Sequence, residues 1–255
     1  MAGNSDSSGE RYRNREFVDF WRTDKSLEED RSWWRHRLLT LLPFEPTEAI
    51  RVLDLGAGTG ALTLALLNRF PNASVTCADF SEAMLSHARE QLAKYGETVT
   101  FTQSDLRKAG WFQAIQGRFD AVVSSFLTHT ILDSIERLYT EVYSLVEAGG
   151  CFLSCDFYSP PGTTLDRMYH RLALQDFQAR IKQKTGVEKS LEEVHLLLRE
   201  RRKKYRAFHT EGEEEASIKL TVLDHLALLK KAGFDEVDCL IKYRNSAVIG
   251  GFRHQ

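Results

Sequence analysis

The feature that most constrains this chain is the run Val52-Leu53-Asp54-Leu55-Gly56-Ala57-Gly58-Thr59-Gly60. An apolar stretch from Ile50 to Leu55 leads straight into spaced glycines and then into the helical pattern of Leu62, Leu64, Leu66 and Leu67. A short, nearly continuous apolar run of this kind reads as a strand buried on both faces of a parallel sheet. Glycines at its end leave the backbone bare, so a ligand can approach the N–H groups that open the next helix. Such a start implies an α/β layered fold, because parallel strands must be joined by crossovers that are usually helical.

The alternation continues. Ser74 to Ala78 reads as the second strand, and Ser81 as the N-cap of a helix, Glu82 to Lys94, that aligns Met84, Leu85, Ala88 and Leu92. Thr98 to Gln103, Phe119 to Ser125 and Cys151 to Asp156 follow as strands, with a helix from Ser134 to Val146 before Gly149 and Gly150. From Ser159 to Lys219 the pattern turns helical, opened by Pro160, Pro161 and Gly162. Val222 to Ala232 is then a helix ended by Gly233, and Glu236 to Tyr243 and Ser246 to Phe252 form a hairpin around Arg244-Asn245. Upstream, Phe17, Phe20, Trp21, Trp33, Trp34, Leu38 and Leu42 predict one or two amphipathic helices, stopped by Pro43 and Pro46. Three tryptophans there could cover a ligand, although aromatic residues at helical spacing favour a core role. The expected organisation is an arm (1–14) and a single domain (15–255). Within that domain come an N-terminal helical cap (15–46), a core (50–156), a helical insertion (157–218) and a final helix and hairpin (219–255).

Composition excludes more than it selects. With 255 residues, 42% hydrophobic and 27% charged, the chain is ordinary for a globular protein. A net charge of −2 gives no global signature of a nucleic-acid or membrane-surface binder. No stretch approaches the roughly 18 apolar residues of a membrane span, and Met1 to Glu16 hold no secretory apolar region, so a cytoplasmic location is expected. Cys77, Cys151, Cys155 and Cys239 lack metal-ligand or redox spacing, so no metal is expected. The basic block Arg199, Arg201, Arg202, Lys203, Lys204 and Arg206 is followed by Glu211, Glu213, Glu214 and Glu215. It reads as a solvated face balanced by that acidic run, and no nucleic-acid partner is expected.

Three carboxylates give the glycine loop its chemistry. Gly56, Gly58 and Ala61 satisfy the dinucleotide-binding fingerprint, so a nicotinamide or flavin enzyme must be weighed. Asp54, two residues before the first glycine, argues against a pyrophosphate there and suits a cationic ligand group. Asp79, at the end of the second strand, is placed to take ribose hydroxyls, and Phe80 to lie against an adenine ring. Asp105, after the third strand, is placed to accept a hydrogen bond from an adenine amino group. A ligand with adenosine, an ammonium and a sulfonium fits this field, and S-adenosylmethionine has all three.

In order, VLDLGAGTG, CADFSEAML, FTQSDL, FDAVVSSFLTH and VEAGGCFLSCDF resemble the class I S-adenosylmethionine-dependent methyltransferases. KKAGFDEVDCLIKYRNSAVIGG resembles their final helix and β-hairpin. The resemblance implies a Rossmann-like, doubly wound, mostly parallel seven-stranded sheet with an antiparallel last strand. To this it adds a helical cap from the N-terminal segment and an insertion after strand five. It implies Asp54, Gly56, Ala57 and Gly58 around the methionine part of the cofactor, Asp79 and Phe80 at ribose and adenine, and Asp105 and Leu106 at the adenine. Met84 would pack on the other adenine face, and Ser125 beside the methionine moiety and the acceptor. His129 is expected to orient the acceptor or serve as general base, and Asp156 as an acid near the acceptor. The acceptor is expected to be a small molecule methylated in line on O, N or C, under a cover that could include Tyr158, Tyr169, His170, Arg171 and Arg202. Two alternatives stand beside this reading: an S-adenosylmethionine enzyme of tRNA modification, and a non-catalytic cofactor-binding partner protein.

Overall fold

The computed structural model describes residues 10–23, 28–206 and 219–254. Its centre is a seven-stranded sheet made of β1 (Arg51–Leu55), β2 (Ser74–Asp79), β3 (Val99–Gln103), β4 (Phe119–Ser125), β5 (Val146–Phe157), β6 (Asp238–Tyr243) and β7 (Ser246–Phe252). The strand order is β3-β2-β1-β4-β5-β7-β6. β1 to β5 pair in parallel, and β7 enters antiparallel between β5 and β6. The expected seven-stranded, doubly wound sheet is therefore present.

Side-chain alternation sorts each strand between two cores. Leu53 and Leu55 of β1, Val122 of β4 and Phe152 of β5 pack beneath α5 (Ile135–Leu145) and α8 (Val222–Ala232). Val52, Cys77, Val123 and Cys155 face the other way, toward Leu38 of α2 (Glu28–Thr40) and Leu62 and Leu66 of α3 (Ala61–Arg69). Asp54 shares the parity of Val52, so its carboxylate is sent under α3. β7 needs glycine where it meets β5: a Cβ on Gly250 would lie 2.3 Å from Leu153 Cδ2 and 2.4 Å from the Phe152 carbonyl oxygen.

The widest departure from the expected boundaries is at the start of β5. β5 starts at Val146, because Val146 pairs with Phe119 before an irregularity shifts the register to Ala121 and Cys151. Gly149 and Gly150 lie within that strand and do not delay it. α5 accordingly ends at Leu145.

The helical insertion is a hairpin of α6 (Thr163–Thr185) and α7 (Leu191–Arg206). No residue of α6 is fully buried. Polar contacts dock it: the Tyr243 hydroxyl donates to Asp176, Lys242 to the Tyr169 hydroxyl at 3.0 Å, and Arg180 pairs with Asp30 of α2. In the basic block Lys203 pairs with Glu200. The Arg202 and Arg206 side chains, the acidic run Glu211 to Glu215 and residues 1–9 of the expected arm lie outside the described residues.

Candidate active site

The strand order reverses between β1 and β4, and open α/β sheets hold ligands in the crevice at the carboxyl ends of such strands. A cavity with about 1000 Å³ of free space, its open mouth included, lies there. The glycine loop forms one wall. Gly56 has a φ of 65°, and a Cβ there would stand 2.7 Å from Leu127 Cδ1, so both backbone and space demand glycine.

A carboxylate from the neighbouring strand holds this loop. Asp79 accepts hydrogen bonds from the Gly58 N–H at 2.9 Å and the Ser81 N–H at 2.8 Å. These use two of about four acceptor sites on a carboxylate, and Asp79 lines the cavity with the rest. Burial pushes its pKa up to about 6, against the lowering by the Ser81 and Gly58 N–H bonds. Phe80 follows, with the Arg107 and Arg13 guanidinium carbons 4.9 and 5.1 Å from its ring centroid. Ser81 caps α4 (Glu82–Leu92) by accepting from the Met84 N–H, and its hydroxyl donates to the Tyr12 carbonyl. The N-terminal segment is thereby tied to the cavity rim.

Gly56, Ala57, Gly58, Asp79, Phe80, Met84, Asp105, Leu106 and Ser125 all line the cavity, as expected of a ligand site. Asp105 does so with both oxygens engaged. Arg107 donates to them in a bidentate pair, Nε to Oδ1 at 2.8 Å and Nη2 to Oδ2 at 3.0 Å. Partial burial favours the neutral acid, but Arg107 outweighs it and holds the carboxyl below its usual range.

Asp54 departs from expectation. It is absent from the cavity lining and sits beneath the loop at 1% exposure, because its strand parity turns it toward α3. One oxygen accepts from the Thr63 hydroxyl at 2.7 Å, while the other, fully buried, has no hydrogen-bond partner. Burial pushes its pKa up to about 7; Thr63 opposes the shift, Asp79 adds to it and Arg35 opposes it.

His129 and Asp156 are brought together, Nδ1 to Oδ1 at 2.6 Å. Asp156 is fully buried and also accepts from the Thr128 N–H, the Thr128 hydroxyl and the Phe157 N–H. Burial favours its neutral form, yet the His129 charge and hydrogen bond hold its carboxyl below the ordinary range. So saturated a group has no route to a ligand, and the expectation of Asp156 as an acid at the acceptor is replaced by that of an anchor which orients the imidazole. His129 itself does not line the cavity. Its ring meets Phe157 edge-on at 5.6 Å, and Phe157 lies 5.1 Å from Phe126, which is a cavity wall. Phe126 holds a φ of 57°, a left-handed value that is strained for a residue with a Cβ.

Among the described side chains, none of the expected cover residues reaches the lining. Tyr158 is buried against His225, Tyr169 bonds Lys242 and His170 packs on His195. Arg171 is exposed on α6, and the Arg202 side chain lies outside the described residues. Trp34 belongs to the core, and Trp33 is exposed beneath Arg37, so neither is a lid. The side chains that sequence reasoning missed include Tyr12, Arg31, Arg35, Leu62, Ser104, Arg107, Phe126, Leu127, Thr130 and Ile131. Arg31 and Arg35 sit in the charged stretch EEDRSWWRHR, which carries no pattern to separate a cavity arginine from a solvated one.

Residues 52–150 match the methyltransferase domain family. That stretch holds the glycine loop and most of the strand ends around the cavity, and its similarity is to a methyltransferase domain. It is 36% identical over 116 residues to a malonyl-[acyl-carrier protein] O-methyltransferase of Geobacter sulfurreducens, covering 46% of this chain and 42% of that protein. It is 33% identical over 136 residues to a demethylmenaquinone methyltransferase of Thermus thermophilus, covering 53% and 59%. The chain thus spans about half the length of these relatives. Human N-acetylserotonin methyltransferase shares the fold of the methyltransferase domain at a TM-score of 0.59 and 18% identity, over 96% of this chain and 58% of that one. Synechocystis magnesium protoporphyrin IX methyltransferase does so at 0.58 and 17%, over 98% and 100%.

Proposed function

We propose that this protein transfers a methyl group from S-adenosylmethionine to a small-molecule acceptor, with His129 as the base for an acceptor that must lose a proton. The observation that carries the reading is the glycine loop clasped by Asp79 at the switch point, with an unpartnered oxygen of Asp54 buried beneath it. The residues fit the cofactor. Asp79 retains acceptor capacity for vicinal ribose hydroxyls, Phe80, Met84 and Leu106 offer apolar surface for an adenine, and Ser125, also in the lining, would stand beside the methionine part. The spare Asp54 oxygen suits a positive charge approaching through the loop.

Bound S-adenosylmethionine supplies an electrophilic methyl group on a sulfonium. The chain's part is chiefly positioning and exclusion of water, and orientation of reactants can contribute on the order of 7 to 11 kcal/mol. Phe126, Leu127 and Ile131 wall the cavity at the end of β4 with apolar surface. Asp156 accepts from His129 Nδ1, which fixes the tautomer and leaves Nε2 as the ring atom that would take a proton from an acceptor hydroxyl. Because His129 lies outside the cavity lining and packs on Phe157, an acceptor would have to extend beyond that lining to reach it. The relative named a demethylmenaquinone methyltransferase supports a small-molecule acceptor, and the one named a malonyl-[acyl-carrier protein] O-methyltransferase supports an acceptor other than nucleic acid. Buried thiols at Cys77, Cys151 and Cys155 support a reducing, cytoplasmic setting. Among the described residues no helix is long and apolar enough to cross a membrane.

Calorimetry against S-adenosylhomocysteine and NADH tests the cofactor, and a methyl-transfer screen over phenols, carboxylates, amines and tRNA tests the acceptor. Binding of NADH and not of S-adenosylhomocysteine would refute the reading.

A further inference from the structure

The helical hairpin carries a charge that the rest of the chain does not. Residues 163–206 hold 12 Lys and Arg against 6 Asp and Glu, in a chain whose net charge is −2. Pairs such as Lys203 with Glu200 and Lys182 with Glu188 lie inside the hairpin and leave that balance as it is. Arg180 with Asp30 and Asp176 with Arg244 cross its boundary and offset each other. Lys184 and Arg201 are otherwise engaged, so the cations of interest are Arg199 and Lys204, both exposed on α7, with Lys203 beside them in its exposed pair.

These cations share a helix face with exposed leucines. Leu196, Arg199 and Lys203 follow one another at i, i+3 and i+7, on the side of α7 opposite the fully buried Val194. Leu197 and Lys204 run beside them, also seven residues apart. Leu196 and Leu197 are 53% and 45% exposed, although each would gain from leaving water. α6 has no fully buried residue, so the hairpin is held to the body largely by polar contacts, and this outer face is convex helix surface.

We propose that this face of α7 docks the protein on an anionic lipid surface, lying in the interface and not across it. Adjacent leucines flanked by arginine and lysine suit that setting, with the apolar groups at the acyl boundary and the cations among the headgroups. A nucleic acid would match the charge but leave the leucines without a partner. A protein partner would favour a centre rich in aromatic residues and poor in lysine, and this face has lysines and no aromatic residue. The docking surface goes beyond the methyl-transfer reading and does not depend on it. The competing account is neutralisation by Glu211, Glu213, Glu214 and Glu215, which follow in the sequence.

The test is sedimentation of the whole protein with vesicles of phosphatidylcholine alone and of phosphatidylcholine mixed with phosphatidylglycerol, with a tRNA titration beside it. The wild type should sediment with the anionic vesicles, stay in solution with the neutral ones, and be released by added salt. The double variant Arg199→Gln/Lys204→Gln should bind the anionic vesicles about twentyfold more weakly, near fivefold for each charge. Leu196→Ser/Leu197→Ser should weaken binding by about tenfold or more. All four side chains are exposed, and unchanged circular dichroism shows that each variant is folded. A wild type that does not sediment, or sedimentation that survives either double variant, overturns the proposal. Binding of tRNA in place of vesicles assigns the face to nucleic acid and overturns it too. Vesicle binding that appears only when Glu211, Glu213, Glu214 and Glu215 are replaced by Gln restores the balanced face and overturns it as well.

Discussion

Replacing Asp54 by Asn removes a charge that the fold holds at a cost. In the native protein burial pushes this carboxyl up to about 7, from an ordinary carboxylate value of 3.8. An acid with a raised native pKa keeps a proton that the unfolded chain has already shed. Its contribution to stability is therefore greatest below the unfolded value, declines as pH rises from about 4 to about 7, and is flat above that. Between about pH 5 and about pH 8 the wild type should lose on the order of 3 kcal/mol through this residue alone. Asp79, raised to about 6, has the same sign and is present in both proteins. Urea titrations of wild type and Asp54→Asn without ligand, at both pH values, give the measurement. The variant should lose less stability than the wild type by about that amount, and the fixed cost of an amide beside Thr63 cancels in the difference. Parallel stability curves would mean that Asp54 ionises as readily folded as unfolded, and the argument from its buried, unpartnered oxygen would fall.

Three further outcomes follow from the geometry. His129→Ala should lower turnover on a hydroxyl acceptor by about 10²- to 10⁴-fold, with S-adenosylhomocysteine affinity unchanged in calorimetry; unaltered turnover removes the imidazole from the mechanism. Gly56→Ala combines a left-handed φ with a Cβ 2.7 Å from Leu127, so calorimetry should show S-adenosylhomocysteine binding lost while circular dichroism stays native. Gly250→Ala drives a methyl group into Leu153 and the Phe152 carbonyl and should destabilise the sheet by about 3 kcal/mol in denaturant titration, the upper range for overpacking.

How far the sequence could be read depended on whether a residue's role is written in its neighbours. β1, its glycines and Asp79 are local signals: a strand end, a turn and a helix start fix them within a few residues. The glycine-loop wall of the cavity was legible for that reason. Asp54 was legible as a residue but not in its placement, because strand parity sends it under α3. Asp156 was misread for a related cause. A strand-end carboxylate looks the same in sequence whether it faces a ligand or is consumed by Thr128, His129 and Phe157. Arg31, Arg35 and Tyr12 depend on where the N-terminal helices dock, a contact with residues far along the chain. The start of β5 was misplaced because glycines that usually punctuate a chain are here required inside a strand, where a Cβ on Gly150 would meet the Asp120 carbonyl at 2.6 Å.

The position of β7 bears on how the protein is made. β5 pairs on one side with β4 and on the other only with β7, whose residues are translated about 90 positions later. At ordinary synthesis rates that interval is on the order of 5 to 20 s, during which the nascent sheet has an open apolar edge at Phe152 to Cys155. The intervening helical hairpin emerges within that window, ahead of the β6–β7 turn on which it docks. Ribosome-bound chains stopped before residue 246 should therefore recruit chaperones or aggregate through that edge, and those that include β7 should not.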